Sequence, residues 1–411
     1  MMRLSTSMIY QNGLNGILNQ EASLSRLQEQ LASGKRVLTP GDDPLAASLA
    51  VNVAQTASMN KNYSANRATL KQSLGAEENA LSSAVTTLQD VMKRVVEAGN
   101  GTMSDADRQT LSNVLKGARD QLLSLANSTD GNGQYLFSGY QGNTQPFVID
   151  ASGNVSYNGD KGQRMVQADQ SRQLAGSDIG TDIFGRAVPG TLSYIASAGA
   201  ANKGTGQFST VSLKSPDAGN FVGADFSISF ANNATTGKLE YTVTSSSPAF
   251  TPITAEYQEG ANIDMGGVSL SIKGKPQAGD AFQVEMPSSK NMDMFGTLND
   301  LIQTLEKPIS GSDVQSVELV NKLATANKSL SLGLDNILTV RASVGSRLNE
   351  LDALDATGTL NALSYTKQLS DLEETDVYST TTELLLRQVA LQAASGSFSK
   401  IIGSSLFSTN R

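Results

Sequence analysis

Asp42 and Asp43 stand side by side just before Pro44, and two adjacent carboxylates are the raw material of a cation site or an acid/base pair. A cation would need further oxygen donors at a definable spacing, and an acid/base pair would need a cleft. Asp43 as a helix N-cap with Pro44 at the first helical position accounts for both residue types. The carboxylate accepts bonds from orphan N–H groups, and proline has no N–H to lose there. Asp150 to Lys161 offers oxygen atoms in the manner of a calcium loop, but Val155 stands where the sixth-position glycine belongs and Lys161 where the acidic twelfth belongs. A hairpin turn fits it better. Gly131-Asn132-Gly133 follows no strand and lacks the third glycine of a dinucleotide loop. Glu373-Glu374-Thr375-Asp376 has carboxylates enough for a cation, yet it leads into a helix whose N-terminus favours negative charge.

Two absences narrow the chemistry further. The chain has no His and no Cys, which removes Ser-His-Asp and Cys-His catalysis, the usual zinc sites, a haem axial histidine and any disulfide framework. Most common hydrolase and metalloprotease readings therefore fall away, and no catalytic, cofactor-binding or metal residue is assigned. A net charge of -8 and a pI near 4.8, with no basic block, argue against a nucleic-acid surface. Membrane insertion is not expected either, since no stretch approaches the roughly 18 consecutive apolar residues of a span. The N-terminus, Met1 to Ser7, lacks the apolar region of a secretory signal peptide.

The elements that position these residues are mostly long helices. Leu74, Leu81, Leu88 and Val95 stand seven apart, as do Leu323, Leu330, Ile337, Val344 and Leu351. Such a stripe stays wet until another helix covers it, and the natural cover is the other end of the same chain. A first helix is expected from about Leu4 to Leu31, ended by Gly34, and a second from Pro44 to about Ala98. Ser104 with Asp107 makes a capping-box-like start for a third. Of the 22 aromatic residues (Phe 12, Tyr 10), 16 lie between Tyr135 and Phe295, and there the pattern changes to alternation. Strands are expected at Phe147–Asp150 and Val155–Tyr157 as a hairpin, then at Phe226–Phe230, Leu239–Val243, Val268–Ile272 and Ala281–Glu285. Helical spacing returns at Phe295–Leu305, then from about Asp313 to Leu354 and from about Asp376 to Ile402.

The reading is an α+β multidomain fold: a long antiparallel helical rod or coiled coil built from both chain ends, with an inserted antiparallel β-rich domain, sandwich-like or barrel-like. The expected division is 1–43 with 371–411 as a terminal assembly domain, 44–145 with 291–370 as the rod, and 146–290 as the β-rich outer domain. The two inner heptad series are long enough to cover each other. The outermost helices, by contrast, would be marginal as an isolated pair. Their stripes, Leu14, Ile17, Leu18, Leu24, Leu27 and Leu31 at one end and Val377, Leu384, Leu391, Phe398 and Ile402 at the other, are the expected contacts with other subunits. The run Leu384-Leu385-Leu386 is too short to span a membrane and lies within this stripe. A secreted coiled-coil adhesin and an acidic-site enzyme are the alternatives from another class.

The stretch Leu27 to Ala50, LQEQLASGKRVLTPGDDPLAASLA, resembles the N-terminal signature of bacterial flagellins and their junction proteins. The run from Asp371 to Phe407, with DLEETDVYSTTTELLLRQVALQAA and the closing SSLF, resembles the matching C-terminal signature. Gly133 to Gly139, Val155 to Asp160 and Gly274 to Phe282 are similar to the junction-protein side of this bacterial flagellin family rather than to flagellin, which stands as the alternative. The resemblance implies a non-catalytic structural protein, secreted unfolded through the flagellar type III apparatus, kept soluble by a cytosolic export chaperone and placed in the extracellular flagellum. It implies a ring of copies of the chain itself between hook-associated protein 1 and the flagellin filament. The terminal helices would form the inner tube, the rod the next layer and the β-rich domain the outside.

Overall fold

The computed structural model describes residues 6–214, 220–288, 292–309 and 311–407. The chain divides into two compact units, a terminal unit of Met1–Ala65 with Ala353–Arg411 and a central unit of Asn66–Asp352. In chain order the elements open with α1 (Thr6–Ser33), α2 (Pro44–Ala98) and α3 (Asp105–Ala126). Two hairpins follow, β1 (Phe147–Ile149) with β2 (Val155–Tyr157) and β3 (Met165–Asp169) with β4 (Arg172–Ala175), then the short helix α4 (Gly180–Phe184). The strands β5 (Ile195–Ala198), β6 (Gln207–Phe208), β7 (Ser212–Leu213), β8 (Phe226–Asn232) and β9 (Leu239–Ser245) come next. They are followed by β10 (Ile253–Glu256), β11 (Asn262–Asp264), β12 (Val268–Lys273) and β13 (Ala281–Glu285). The chain closes with α5 (Met294–Glu306), α6 (Asp313–Glu373) and α7 (Val377–Phe407).

In the central unit the inner heptad residues from Leu74 to Val95 on α2 and from Leu323 to Leu351 on α6 are all buried. Lys71 Nζ meets Asp352 Oδ1 at 2.7 Å, and Arg341 Nη2 meets Glu78 Oε1 at 2.5 Å. Partner numbers that fall on one helix as they rise on the other mark an antiparallel pair. Helix α3 starts where the sequence places its cap: Asp107 N donates to Ser104 Oγ at 3.2 Å, and Ser104 N donates back to Asp107 Oδ2 at 3.1 Å. Its apolar face, Leu111, Leu115 and Leu122, packs with Leu298, Leu301, Ile302 and Leu305 of α5, all buried.

The β-rich region is a sandwich. One sheet runs β10-β9-β8-β13-β5; in the other, β12 pairs with β11, β6 and β7, and every pairing is antiparallel. Alternate residues supply a single core, with Phe226, Ile228 and Phe230 of β8 in one cluster with Val268, Leu270 and Ile272 of β12.

Three differences from the expected elements have physical causes. Helix α6 runs on to Glu373 instead of stopping near Leu354, because a lone helical glycine costs only about 1 kcal/mol. Asn60 Nδ2 also donates to Gly358 O at 2.8 Å. The β3–β4 hairpin, without a glycine turn or aromatic alternation, is held from outside: Arg67 Nη1 donates to Ala168 O at 2.9 Å and Asn66 Nδ2 to Gln167 O at 2.8 Å. Strands β5, β6, β7, β10 and β11 have four residues or fewer, too short for alternation to show.

Candidate assembly interface

The terminal unit holds every residue proposed for subunit contact. Helix α1 ends at Gly34, whose φ of 69° is the left-handed conformation glycine adopts cheaply. The connector that follows lies against the connector between α6 and α7. Arg36 N donates to Glu373 O at 2.6 Å and Thr375 N to Gly34 O at 3.0 Å, an antiparallel bridge of Lys35 with Glu374. Side chains reinforce it: Lys35 Nζ lies 2.8 Å from Glu373 Oε2, and Arg36 Nη2 donates to Leu372 O at 2.9 Å.

The two acids in this connector divide their work. Asp42 Oδ2 accepts from Thr39 N at 2.9 Å and Leu38 N at 3.1 Å, while Arg26 Nη2 stands 2.9 Å from Oδ1. Asp43 Oδ1 accepts from Ala46 N at 3.0 Å, with Pro44 opening α2, and Arg36 Nη1 lies 3.1 Å from Asp43 Oδ2. Backbone donors, Thr39 N for Asp42 and Ala46 N for Asp43, hold both carboxyls below their ordinary value, with the arginines assisting. Asp376 Oδ1 accepts from Tyr378 N and Ser379 N at 3.0 and 3.2 Å, capping α7. The remaining acidic candidates are turns: Asp150 Oδ1 accepts from Ser152 N and Asn154 N at 2.8 and 2.9 Å, and Asp130 Oδ1 ties the Gly131–Gly133 segment through Asn132 N at 2.8 Å. Among the described residues, no cluster of three or more Asp or Glu is placed to hold a metal, and no helix is long and apolar enough to cross a membrane.

Helices α1 and α7 pack against each other. The Tyr10 and Phe398 ring centroids are 5.1 Å apart, and Gln20 and Arg387 exchange hydrogen bonds of 3.4 and 3.3 Å. Gly13 lets Phe398 approach, since a Cβ there would stand 2.8 Å from the ring. Of the stripe read from the sequence, Leu27 is buried; Ile17, Leu24, Leu31, Leu384, Leu391 and Phe398 are half-buried; Leu14, Leu18 and Val377 are exposed. Ile402 lies outside the residues whose side chains are described. The structure adds a second set. Tyr378 (85% exposed), Leu385, Leu386 (66%) and Val389 lie on one face of α7, roughly 100° around from the first stripe. A search at i, i+7, i+8 and i+11 would have found them. Leu45, Leu49 and Val51 of α2 and Leu360 and Leu363 of α6 are exposed in the same unit.

This unit has almost no core of its own. Among the described residues, fifteen of the twenty-four exposed large apolar side chains belong to it, whereas its buried apolar side chains are Leu27, Ala46 and Ala50. The cluster Tyr378, Leu385, Leu386 and Val389 on one face of α7 is apolar surface of the kind that marks protein–protein contacts.

Comparison with known proteins gives this surface a context. The family described as the bacterial flagellin N-terminal helical region matches residues 4–142. Flagellar hook-associated protein 3 of Salmonella typhimurium is 31% identical over 410 residues, covering 100% of both chains. The crystal structure of Xanthomonas campestris FlgL is 29% identical with a TM-score of 0.66, covering 77% of this chain and 99% of that one. The flagellar junction protein FlgL from Legionella pneumophila is 27% identical with a TM-score of 0.64, covering 79% of this chain and 100% of that one. Similarity along the whole length, through the long helices and the β-rich middle alike, makes this chain a structural component of the bacterial flagellum that belongs to the flagellar hook-associated protein 3 family.

Proposed function

We propose that the chain is the adaptor that joins the hook to the flagellin filament, a ring of its own copies with hook-associated protein 1 on one side and flagellin on the other. It reaches that place by secretion through the flagellar export apparatus, held soluble beforehand by a cytosolic chaperone, and works outside the cell by geometry, with no catalysis. The apolar surface of the terminal unit carries this reading. Covering about seven of its exposed side chains gives on the order of 10 to 20 kcal/mol, which offsets the roughly 4–15 kcal/mol that association costs. The proposed contact set is Leu14, Ile17, Leu18, Leu24, Leu27, Leu31, Val377, Leu384, Leu391, Phe398 and Ile402, joined by Tyr378, Leu385, Leu386 and Val389.

In the same proposal, residues 1–43 with 371–411 form the inner layer, 44–145 with 291–370 the rod layer, and 146–290 the outer face. The flagellin-type N-terminal match favours a second reading, a filament subunit, but it ends at residue 142. Immunogold labelling of intact flagella separates the two. A single band at the hook boundary, together with flagellin shed into the medium when the gene is deleted, is the expected result. Uniform labelling along the filament would instead make the chain a filament subunit.

A further inference from the structure

Glu77, on α2 in the central unit, is fully buried. Its Oε1 accepts from Asp178 N at 3.3 Å, and its Oε2 has no hydrogen-bond partner among the described residues. Asp178, between β4 and α4, pairs with Arg347 of α6 and accepts from Gln163 Nε2 at 2.9 Å. Arg347 Nη1 also donates to Ala175 O at 3.1 Å, at the end of β4. The neighbouring charges are matched elsewhere: Glu78 with Arg341, and Arg172 with Glu350. Two carboxyls therefore face one guanidinium, Glu77 with no solvent exposure and Asp178 and Arg347 with 18% and 12%, and a charge-neutral group requires a proton on Glu77.

The same residues hold a segment that has few apolar anchors of its own. Ala168, Leu174 and Ala175 are its buried apolar side chains from β3 to β4, and the remaining grip is polar, through Asn66, Arg67 and Glu350. We propose that Glu77, Asp178 and Arg347 form a proton-held latch: with the buried Glu77 carboxyl protonated beside the Asp178–Arg347 pair, the β3–β4 hairpin stays docked on α2 and α6, and loss of that proton loosens it.

Burial, and after it the negative charge of Asp178, pushes the Glu77 carboxyl well above its ordinary value of 4.5, against the opposing pull of Arg347. A folded value raised above the unfolded one gives stability that is full below the ordinary value and lost as pH rises through the folded one. Over that window, undocking becomes easier by up to about tenfold per pH unit.

Arg172, the first residue of β4, offers a trypsin site, and its side chain is half exposed. Cleavage there is followed by mass spectrometry in the full chain between about pH 6 and pH 9, each rate divided by that of the denatured chain at the same pH. The ratio is expected to rise several-fold with pH in the unaltered chain, and to stay flat and lower at the alkaline end in Glu77→Gln. Asp178→Asn, which leaves one carboxyl for one guanidinium, is expected to flatten it as well. If either variant that folds keeps the original slope, or Glu77→Gln is cut faster than the unaltered chain at alkaline pH, the latch is wrong.

Discussion

Asp42 and Asp43 are neighbours that titrate in the same direction for separate reasons, one closing a turn and the other opening a helix. Both folded values lie below the ordinary 3.8, so their contribution is present above that value and lost as pH falls through the lowered ones. Amide exchange read by NMR should show Leu38, Thr39 and Ala46, the donors to these carboxylates, losing protection together at acid pH. In an Asp42→Asn, Asp43→Asn double variant that acid transition is expected to vanish. Gly34 is a second single-residue test. Nothing crowds a Cβ at that position, so Gly34→Ala strains only the backbone, by about 1 to 2 kcal/mol. The expected sign is faster exchange at Arg36 and Thr375, the two amides of the connector bridge. The caps at Asp43 and Ser104 were legible in the sequence because their partners lie within three residues. The fit of Gly13 against Phe398 was not, since its partner stands at the other end of the chain.

Heptad spacing alone does not say which helix faces are buried within the chain. Leu74 and Leu330 are fully buried, while Val377, seven residues before Leu384, is exposed. Leu330→Ala should therefore cost about 2 to 5 kcal/mol, read as a fall in the thermal unfolding midpoint of the isolated chain. Leu386→Ala should stay within about 0.5 kcal/mol in the same measurement, and show its effect as a failure to assemble onto hooks. If both changes lowered the midpoint equally, the division between folding stripe and assembly stripe would be wrong. Strands β8, β9, β12 and β13 were legible because alternation persists over at least five residues. The β3–β4 hairpin was not, because Asn66, Arg67 and Arg347 hold it through backbone carbonyls, and such side-chain-to-backbone bonds leave no periodic trace. The exposed face of α7 at Tyr378, Leu385, Leu386 and Val389 was spelled out in the sequence but masked by the adjacent stripe through Leu384.

At the scale of the whole molecule, the two units differ in what holds them. The central unit has the sandwich core and the inner heptads, so opening it exposes many buried side chains at once. The terminal unit has Leu27, Ala46 and Ala50 buried, a connector bridge and the Tyr10–Phe398 contact, and short apolar contact leaves helices close to their own marginal limit. Local opening free energy follows buried contact. In a dilute monomer, amides from Leu14 to Leu31 should therefore exchange much faster than those from Leu74 to Val95, although both stretches are helical. On assembly the first set should gain protection while the second changes little, because its cover is already in place. Hydrogen exchange with mass spectrometry on the monomer and on purified hook–filament junctions reads both states. Equal protection of the two stretches in the monomer would mean that the terminal helices are stable alone, and assembly would then be the joining of finished surfaces, with no coupled ordering.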